Sequence, residues 1–211
     1  NTYKVTQNVN PDLKWEKKYE YNLGVDYGFL NNRLTGSLEG YVRNTKDLLW
    51  WYDVPTPPYQ YDKLLANAGE MLSYGVELAV TGVAVQKKNV TWTSSLTLAW
   101  NENIITKLSD PSKGFNYTSS PQGNLYGNKF NGSDSYTQIL MEGGKVGQFY
   151  GYKFLGFNSK GEWVYEDQYG GPTAKPTAAD KKYLGSAQPA VTYGWNNTVR
   201  YKNLDVTVFL R

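Results

Sequence analysis

The chain is 211 residues long with a net charge of +3, and its Lys and Arg residues are scattered rather than gathered into a stripe, which argues against a nucleic-acid partner. It has no Cys and no His, which excludes disulfides, thiolate chemistry and histidine as metal ligand or general base. The 19 Tyr, 7 Trp, 7 Phe and 21 Gly favour strands and turns, and no apolar run reaches the roughly 18 residues of a spanning helix. The mean hydropathy of -0.60 still admits a membrane barrel, because alternating strands average out as polar.

The first clear element alternates without a fault. Tyr19, Tyr21, Leu23, Val25, Tyr27 and Phe29 point one way, and Glu20, Asn22, Gly24, Asp26 and Gly28 the other. Asn31-Asn32 reads as a short turn. A second strand follows, with Leu34, Gly36, Leu38, Gly40 and Val42 opposite Thr35, Ser37, Glu39, Tyr41 and Arg43. A third sets Tyr74, Val76, Leu78 and Val80 against Gly75, Glu77, Ala79 and Thr81. A fourth, across the polar turn at 86–89, sets Val90, Trp92, Leu96, Leu98 and Trp100 against Thr91, Thr93, Ser95, Thr97 and Ala99. Near the end, Val191, Tyr193, Trp195, Val199 and Tyr201 oppose Thr192, Gly194, Asn196, Thr198 and Arg200. Lys202-Asn203 makes a tight turn into Leu204, Val206, Val208 and Leu210. The pattern thus predicts six long antiparallel strands near residues 14–29, 33–49, 71–84, 89–105, 189–201 and 204–211.

The connections alternate in length. Those near Asn31, Lys88 and Lys202 are short; those at about 49–70 and 101–188 are long. Short turns on one rim and long loops on the other is the layout of an outer-membrane barrel. It places Asn31, Lys88 and Lys202 on one rim and Trp51, Gly123 and Gly170 on the other. A structureless loop of roughly 90 residues is improbable, so the second long connection should carry small strands of its own. A hairpin turn at Asn158-Ser159-Lys160-Gly161 is one expected feature, and the Gly- and Asn-dense stretch from Gly114 to Gly132 reads as turn-rich.

Alternation also describes a soluble β-sandwich with one solvated face. The aromatic spacing favours the membrane: on the apolar face Tyr19 and Tyr27, Trp92 and Trp100, and Tyr193 and Tyr201 are each eight residues apart. Eight residues rise about 26 Å, or about 20 Å along the membrane normal at the usual tilt, close to the distance between the two aromatic girdles of a barrel. Lipid contact is therefore expected for Tyr19, Leu23, Tyr27, Trp92, Leu96, Trp100, Tyr193 and Tyr201, and a polar lumen for Glu20, Asp26, Glu39, Arg43, Glu77 and Arg200. Six strands cannot close a barrel, since single-chain outer-membrane barrels start at eight, so the chain reads as part of a larger one. The competing reading is a soluble secreted all-β glycan-binding module, which would fold without lipid or detergent.

No catalytic constellation is present, and no phosphate-cradling Gly-rich motif occurs. Glu166 and Asp167 are adjacent in a loop, where a solvated pair is the expected state. No enzymatic activity, metal site or cofactor is predicted. Trp50, Trp51, Tyr52, Tyr59 and Tyr61 crowd the first long loop beside Pro55, Pro57 and Pro58. Trp50, Trp51, Tyr59 and Tyr61 are the candidate substrate-binding residues, by stacking, with packing of the loop on its neighbours as the alternative.

Several phrases carry a family resemblance: Asn10-Pro-Asp-Leu-Lys-Trp-Glu16, Gly28-Phe-Leu-Asn-Asn-Arg-Leu-Thr-Gly-Ser37, Thr45-Lys-Asp-Leu-Leu49, Ala68-Gly-Glu-Met71 and Gly75-Val-Glu-Leu78. Gly147-Gln-Phe-Tyr-Gly-Tyr-Lys153, Tyr183-Leu-Gly-Ser-Ala-Gln-Pro189 and Tyr193-Gly-Trp-Asn-Asn197 complete the set. In this order, over nearly the whole chain, they resemble the C-terminal barrel portion of SusC/RagA-type TonB-dependent outer-membrane transporters. The resemblance implies an all-β fold in which about six spanning strands of an expected 22 are present here. It also implies a plug domain and a TonB box, neither of which this chain contains, and a multi-pass position in the outer membrane of a Gram-negative bacterium. The implied activity is TonB-dependent import of bulky nutrients, oligosaccharide or peptide. The implied partners are a SusD-like surface lipoprotein lid, the TonB complex and outer-membrane lipid. For lid contact the segment from Ile139 to Phe157 is the expected surface, with Phe149, Tyr150, Tyr152 and Phe154 as its residues, because it is apolar and aromatic yet lies in an outer loop. Many members have an Asp-rich stretch before the Tyr-Leu-Gly phrase; here residues 166–175 carry fewer carboxylates, so no cation site is expected.

Overall fold

The computed structural model describes residues 5–111, 114, 117–125 and 136–211. The chain forms β1 (Lys17–Phe29), β2 (Leu34–Asp53), β3 (Lys63–Lys87), β4 (Val90–Lys107), β5 (Ser119–Asn124), β6 (Tyr136–Met141), β7 (Gln148–Tyr152), β8 (Phe154–Phe157), β9 (Trp163–Glu166), β10 (Pro172–Thr173), β11 (Lys181–Ser186), β12 (Val191–Tyr201) and β13 (Leu204–Leu210). The six predicted strands are β1, β2, β3, β4, β12 and β13, which pair in that order in one sheet. The predicted strands at 33–49 and 71–84 are longer in the structure: β2 runs on to Asp53, and β3 begins at Lys63. The turn-rich stretch contains β5; residues 115–116 and 126–132 of it lie outside the described residues.

Two compact units are distinguished. The first comprises Lys17–Lys46, Leu72–Asn103 and Pro189–Arg211, and the second the other described residues. In the first, the short turns are set by backbone geometry. Leu30, Asn31 and Asn32 all have positive φ (56°, 53° and 62°), as does Lys202 (52°), conformations in which Asn is among the least strained side chains. These turns lie at one end of the sheet. Phe29 pairs with Leu34, and Tyr201 pairs with both Val90 and Leu204. Cross-turn bonds tie them down: the Lys202 amide donates to the Asn89 carbonyl (2.9 Å), and the Val83 amide to the Arg33 carbonyl (2.7 Å).

The registers sort the side chains into two faces. Tyr21 lies opposite Val42, Val25 opposite Leu38, Trp92 opposite Val199, Leu96 opposite Trp195 and Val199 opposite Val206. This face is apolar and, among the described residues, largely exposed; Leu23 is 79% exposed and Val25 60%. The other face is polar and internally bonded. Arg43 pairs with Glu20 (2.8 Å), Arg200 with Asp205 (2.7 Å), Thr81 donates to Ser95 (3.0 Å), and the hydroxyls of Thr198 and Thr207 meet at 3.2 Å. A sheet with its apolar side chains outward and its ion pairs inward is inside-out for a soluble protein, since exposed apolar surface on that scale needs an apolar medium or a partner to cover it. Tyr27, half-buried rather than exposed, lies along this face over Gly36, its hydroxyl pointing at the Ala79 carbonyl (3.5 Å).

The second unit has a small core of its own: Tyr52, Leu64, Ala66 and Ala68, with Trp50, Val54 and Tyr117 packed against it. An extended segment, residues 5–16, is strapped to the start of β3 by side-chain amides that substitute for a regular ladder. Asn8 accepts from the Gln60 and Tyr61 amides (both 3.1 Å) and donates to the Tyr61 and Lys63 carbonyls; Asn10 donates to the Leu65 carbonyl (2.9 Å). Asn67, buried at 5% exposure, accepts from the Lys14 amide (2.7 Å) and donates to the Lys14 and Asp47 carbonyls (2.9 and 2.7 Å). Asn67→Ala removes these bonds to part-buried backbone groups of Lys14 and Asp47, so a loss of about 2 kcal/mol in the urea unfolding of the full-length protein is expected. Faster amide exchange at Lys14 should accompany it. Unchanged stability and exchange would mean that the strap is held elsewhere.

Candidate ligand and partner surfaces

The four candidate substrate-binding residues fall in different environments. Trp50 packs against the core cluster. Trp51 is exposed, and with Trp50, Asp53, Lys63 and Gln122 it lines a cavity of about 500 Å³. Tyr59 is exposed on the turn closed by its amide donating to the Pro55 carbonyl (3.2 Å). Tyr61 is half-buried, and its hydroxyl donates to the Val5 carbonyl. Neighbouring Tyr52 is wholly buried, donating to the Leu108 carbonyl (3.2 Å) edge-on to Tyr117 (5.2 Å). Trp51 and Tyr59 thus present surface, whereas Trp50 and Tyr61 are committed mainly to packing and hydrogen bonding.

The four candidate partner-contact residues divide between two sheets. Phe149, Tyr150 and Tyr152 belong to β7, in the sheet ordered β11-β7-β6-β5, and Phe154 belongs to β8, in the sheet ordered β10-β9-β8. Tyr150 meets Tyr183 across the β7–β11 ladder at 5.6 Å. Phe149 and Phe154 are exposed. Around Phe154 gathers a larger cluster that sequence inspection did not single out. Trp163 lies at 5.0 Å and Phe157 at 5.4 Å, and Tyr165 joins Trp163 at 6.4 Å with nearly parallel rings, 20° apart. The hairpin that assembles it turns at the expected residues. The Asn158 side chain accepts from the Lys160 and Glu162 amides (2.9 and 3.0 Å), and Gly161 takes φ +76°. The available signal was the i, i+2 pair Trp163 and Tyr165 beside that turn, which puts both rings on one face of a strand.

Following β9, residues 166–182 close around two carboxylates, the half-buried Glu166 and the buried Asp180. Glu166 is gripped from both sides, by Lys153 (2.6 Å) and Lys182 (2.7 Å), and Lys182 also donates to the Asp167 carbonyl (3.0 Å). Asp180, 5% exposed, accepts from the Gln168 amide (2.8 Å) and from the Thr177 amide and hydroxyl (2.6 and 2.9 Å). These backbone bonds, together with the Thr177 hydroxyl and the charge of Lys182, hold its carboxyl below the ordinary value. The hydrogen-bonded ammoniums of Lys153 and then Lys182 pull the Glu166 carboxyl down to about 2. Because the folded-state value is depressed, this pairing supports the loop at all pH above the ordinary carboxylate range and is lost only as pH falls through about 2. Amide exchange at Gln168 and Gly171 should stay slow at pH 4. Lys182→Met should speed that exchange and move the acid transition upward. An unmoved transition would mean that Glu166 does not hold the loop.

The chain matches, over residues 1–210, the family model described as TonB dependent receptor-like, beta-barrel. It belongs to that family. It is 30% identical over 98% of its length to TonB-dependent receptor P3 of Formosa agariphila. It is 31% identical over 96% to TonB-dependent receptor SusC of Bacteroides thetaiotaomicron. Among solved structures it is similar to that of the RagAB peptide transporter, with a TM-score of 0.77 at 25% identity over 98% of the chain, and to the open-open state of the RagAB peptide importer, with a TM-score of 0.78 over 96%. The chain covers 21% and 20% of the two receptors and 22% and 21% of the two solved chains, about a fifth of each relative. Membership of this family of outer-membrane barrels decides between the two architectures left open by alternation. The six-stranded sheet is an arc of a large antiparallel transmembrane β-barrel and not one face of a soluble sandwich.

Proposed function

We propose that the complete protein imports a bulky nutrient, oligosaccharide or peptide, across the outer membrane with energy from the TonB complex, beneath a SusD-like surface lipoprotein. The observation that carries this reading is the pairing of family membership with a sheet whose apolar face is largely exposed among the described residues and whose polar face is laced with ion pairs. Lipid covers the first face, and solute passes along the second, because charged groups are tolerated only where water or protein meets them. In this reading residues 49–70 and 101–188 form outer loops, and the TonB complex acts through a part of the protein outside this chain. Trp51 and Tyr59 supply ring faces for ligand, with Trp50 and Tyr61 supporting them, and the Phe149, Tyr150, Tyr152 and Phe154 strip meets the lipoprotein. Two of the similar structures bear on the substrate: those of RagAB are of a peptide transporter and a peptide importer.

Deleting the TonB system should abolish growth on the nutrient while leaving its binding at the cell surface intact. Uptake that survives the deletion would point instead to a passive pore. Orientation is tested separately, by single cysteines on intact cells. Labelling should reach positions 51, 123 and 170 and spare positions 31, 88 and 202, and labelling of both sets would refute the layout.

A further inference from the structure

We infer that the apolar face of the β1–β2 ladder holds one phosphorylated lipid, its phosphate between the ammonium groups of Lys17 and Lys46 and one acyl chain in a groove over Gly40. The inference rests on the import reading for one thing only, the orientation that puts this end of the sheet in the outer leaflet.

Lys17 and Lys46 are directly opposed in an antiparallel register that runs without a break to Phe29 and Leu34. Directly opposed residues share a face and have their Cβ atoms about 5 Å apart, so two flexible Lys stems can bring both ammoniums to one phosphate. The face they share is the apolar one, since Tyr19, Tyr21, Leu23 and Val25 follow Lys17 at alternate positions. Both lysines are exposed. The next pair on this face is Tyr19 opposite Asn44, two side chains with polar tips. Such residues mark the membrane interface, which sets the lysines just outside the hydrocarbon, at the level of the headgroups. At the other end of the ladder this face closes with an uncharged pair, Phe29 opposite Leu34. Lysines that merely reach for water would serve either end equally; a pair at one end answers to a leaflet whose headgroups are anionic.

Below the lysine pair the same face opens into a groove of about 460 Å³, walled by Tyr21, Leu23, Val42, Val76 and Trp100. Its floor is Gly40, opposite Leu23. A Cβ added there would come no nearer than 3.9 Å to the Gly75 carbonyl oxygen, its nearest neighbour among the described residues. Tyr74 meets Trp100 edge-on at 5.7 Å and steadies that wall. From Lys17 the strand rises about 13 Å to Tyr21 and about 20 Å to Leu23, or about 10 and 15 Å along the membrane normal at the usual tilt. One leaflet contributes about half of the roughly 30 Å hydrocarbon core. A lipid with its phosphate between the lysines therefore has its chains at the depth of the groove, and one ligand satisfies both the charge and the hollow beneath it.

The test uses the full-length receptor in dodecyl maltoside, with bound lipid counted by native mass spectrometry. The probes are diphosphoryl lipid A, the same lipid with its phosphates removed, and inorganic phosphate. The wild type should bind the phosphorylated lipid roughly tenfold or more tighter than the dephosphorylated one, and millimolar inorganic phosphate should leave that binding unchanged. Lys17→Ala combined with Lys46→Ala should abolish the preference, and Lys46→Arg should keep most of it. Gly40→Leu should weaken both lipids severalfold with the preference intact. Equal binding of the two lipids by the wild type, a preference that survives the double substitution, or binding unchanged in Gly40→Leu would each overturn the site. So would competition by inorganic phosphate, which would make it a site for a soluble anion. A receptor that is dimeric as wild type and monomeric as Gly40→Leu would overturn it too, by assigning the groove to a second copy. Cysteine labelling on intact cells separates the two ideas: label at position 31 and none at position 51 sinks the orientation of the import reading, while the lipid preference in detergent stands or falls by itself.

Discussion

Leu96→Arg is expected to be among the most damaging single changes in the spanning sheet, costing roughly 2–4 kcal/mol if the residue sits near the bilayer midplane. Leu96 lies on the apolar face of β4, opposite Trp195 and midway in the strand between Trp92 and Trp100, the pair expected at the two edges of the apolar band. A guanidinium placed there must be dragged into hydrocarbon or must bend toward a headgroup, and either course removes solvation that the strand cannot replace. One residue along, Thr97 faces the polar side, donates to the Gly194 carbonyl (3.3 Å) and shares a cavity lining with Glu39 and Glu77. Thr97→Arg should therefore cost about 1 kcal/mol or less. The check is reversible urea unfolding of the full-length receptor in lipid vesicles. Equal losses for the two variants would mean that the two faces have been assigned wrongly.

Gly75→Val should be similarly severe for a different reason. A Cβ added at Gly75 would stand 2.6 Å from the Trp100 carbonyl oxygen and 2.9 Å from the Tyr41 ring, which lies across the glycine on the polar face. The ring could rotate away; the strand backbone of β4 cannot without breaking its ladder. A cost near 3 kcal/mol is expected, at the upper end of overpacking, together with exposure of Tyr41. A Cβ added at Gly40, on the neighbouring strand, would come no nearer than 3.9 Å to the Gly75 carbonyl oxygen, its nearest neighbour among the described residues, so Gly40→Ala should change stability little. If both variants unfold at the same urea concentration, the close approach at Gly75 does not constrain the sheet. The same geometry explains why β2 and β3 carry glycines among their alternating residues. Tyr27 over Gly36 and Tyr41 over Gly75 fill the missing side chain with a ring from the adjacent strand, one on each face.

Where one face of a strand meets lipid and the other a polar lumen, the chain must alternate residue by residue, and that pattern is visible without coordinates. The strands from Lys17 to Phe29, Val90 to Trp100, and Val191 to Leu210 were legible for this reason, as were the turns at Asn31 and Lys202, where side chains that tolerate positive φ stand between alternating runs. The start of β3 was not. Leu64, Ala66, Asn67 and Ala68 are all buried, so Lys63–Met71 shows no alternation; small and apolar residues follow one another because both faces are covered. Nothing in the local sequence indicates that Asn8, Asn10 and Asn67 spend their amides on backbone more than 50 positions away.

By itself, then, the sequence determined the parity of the faces, the short turns and the family, because each is written in adjacent residues or in short phrases. Which aromatics form a surface and which are consumed by packing was decided only by the tertiary structure. Trp50 and Trp51 are neighbours, yet one packs on the core and the other is exposed, and the difference arises from Leu64, Ala66 and Tyr117, which reach that place from elsewhere in the chain. Likewise Phe154, Phe157, Trp163 and Tyr165 become one cluster only when the hairpin folds back at Asn158. The ionic clasp of Glu166 needs Lys153 and Lys182 brought in from both sides, since Coulomb attraction and ring stacking act across space and leave no periodic trace along the chain.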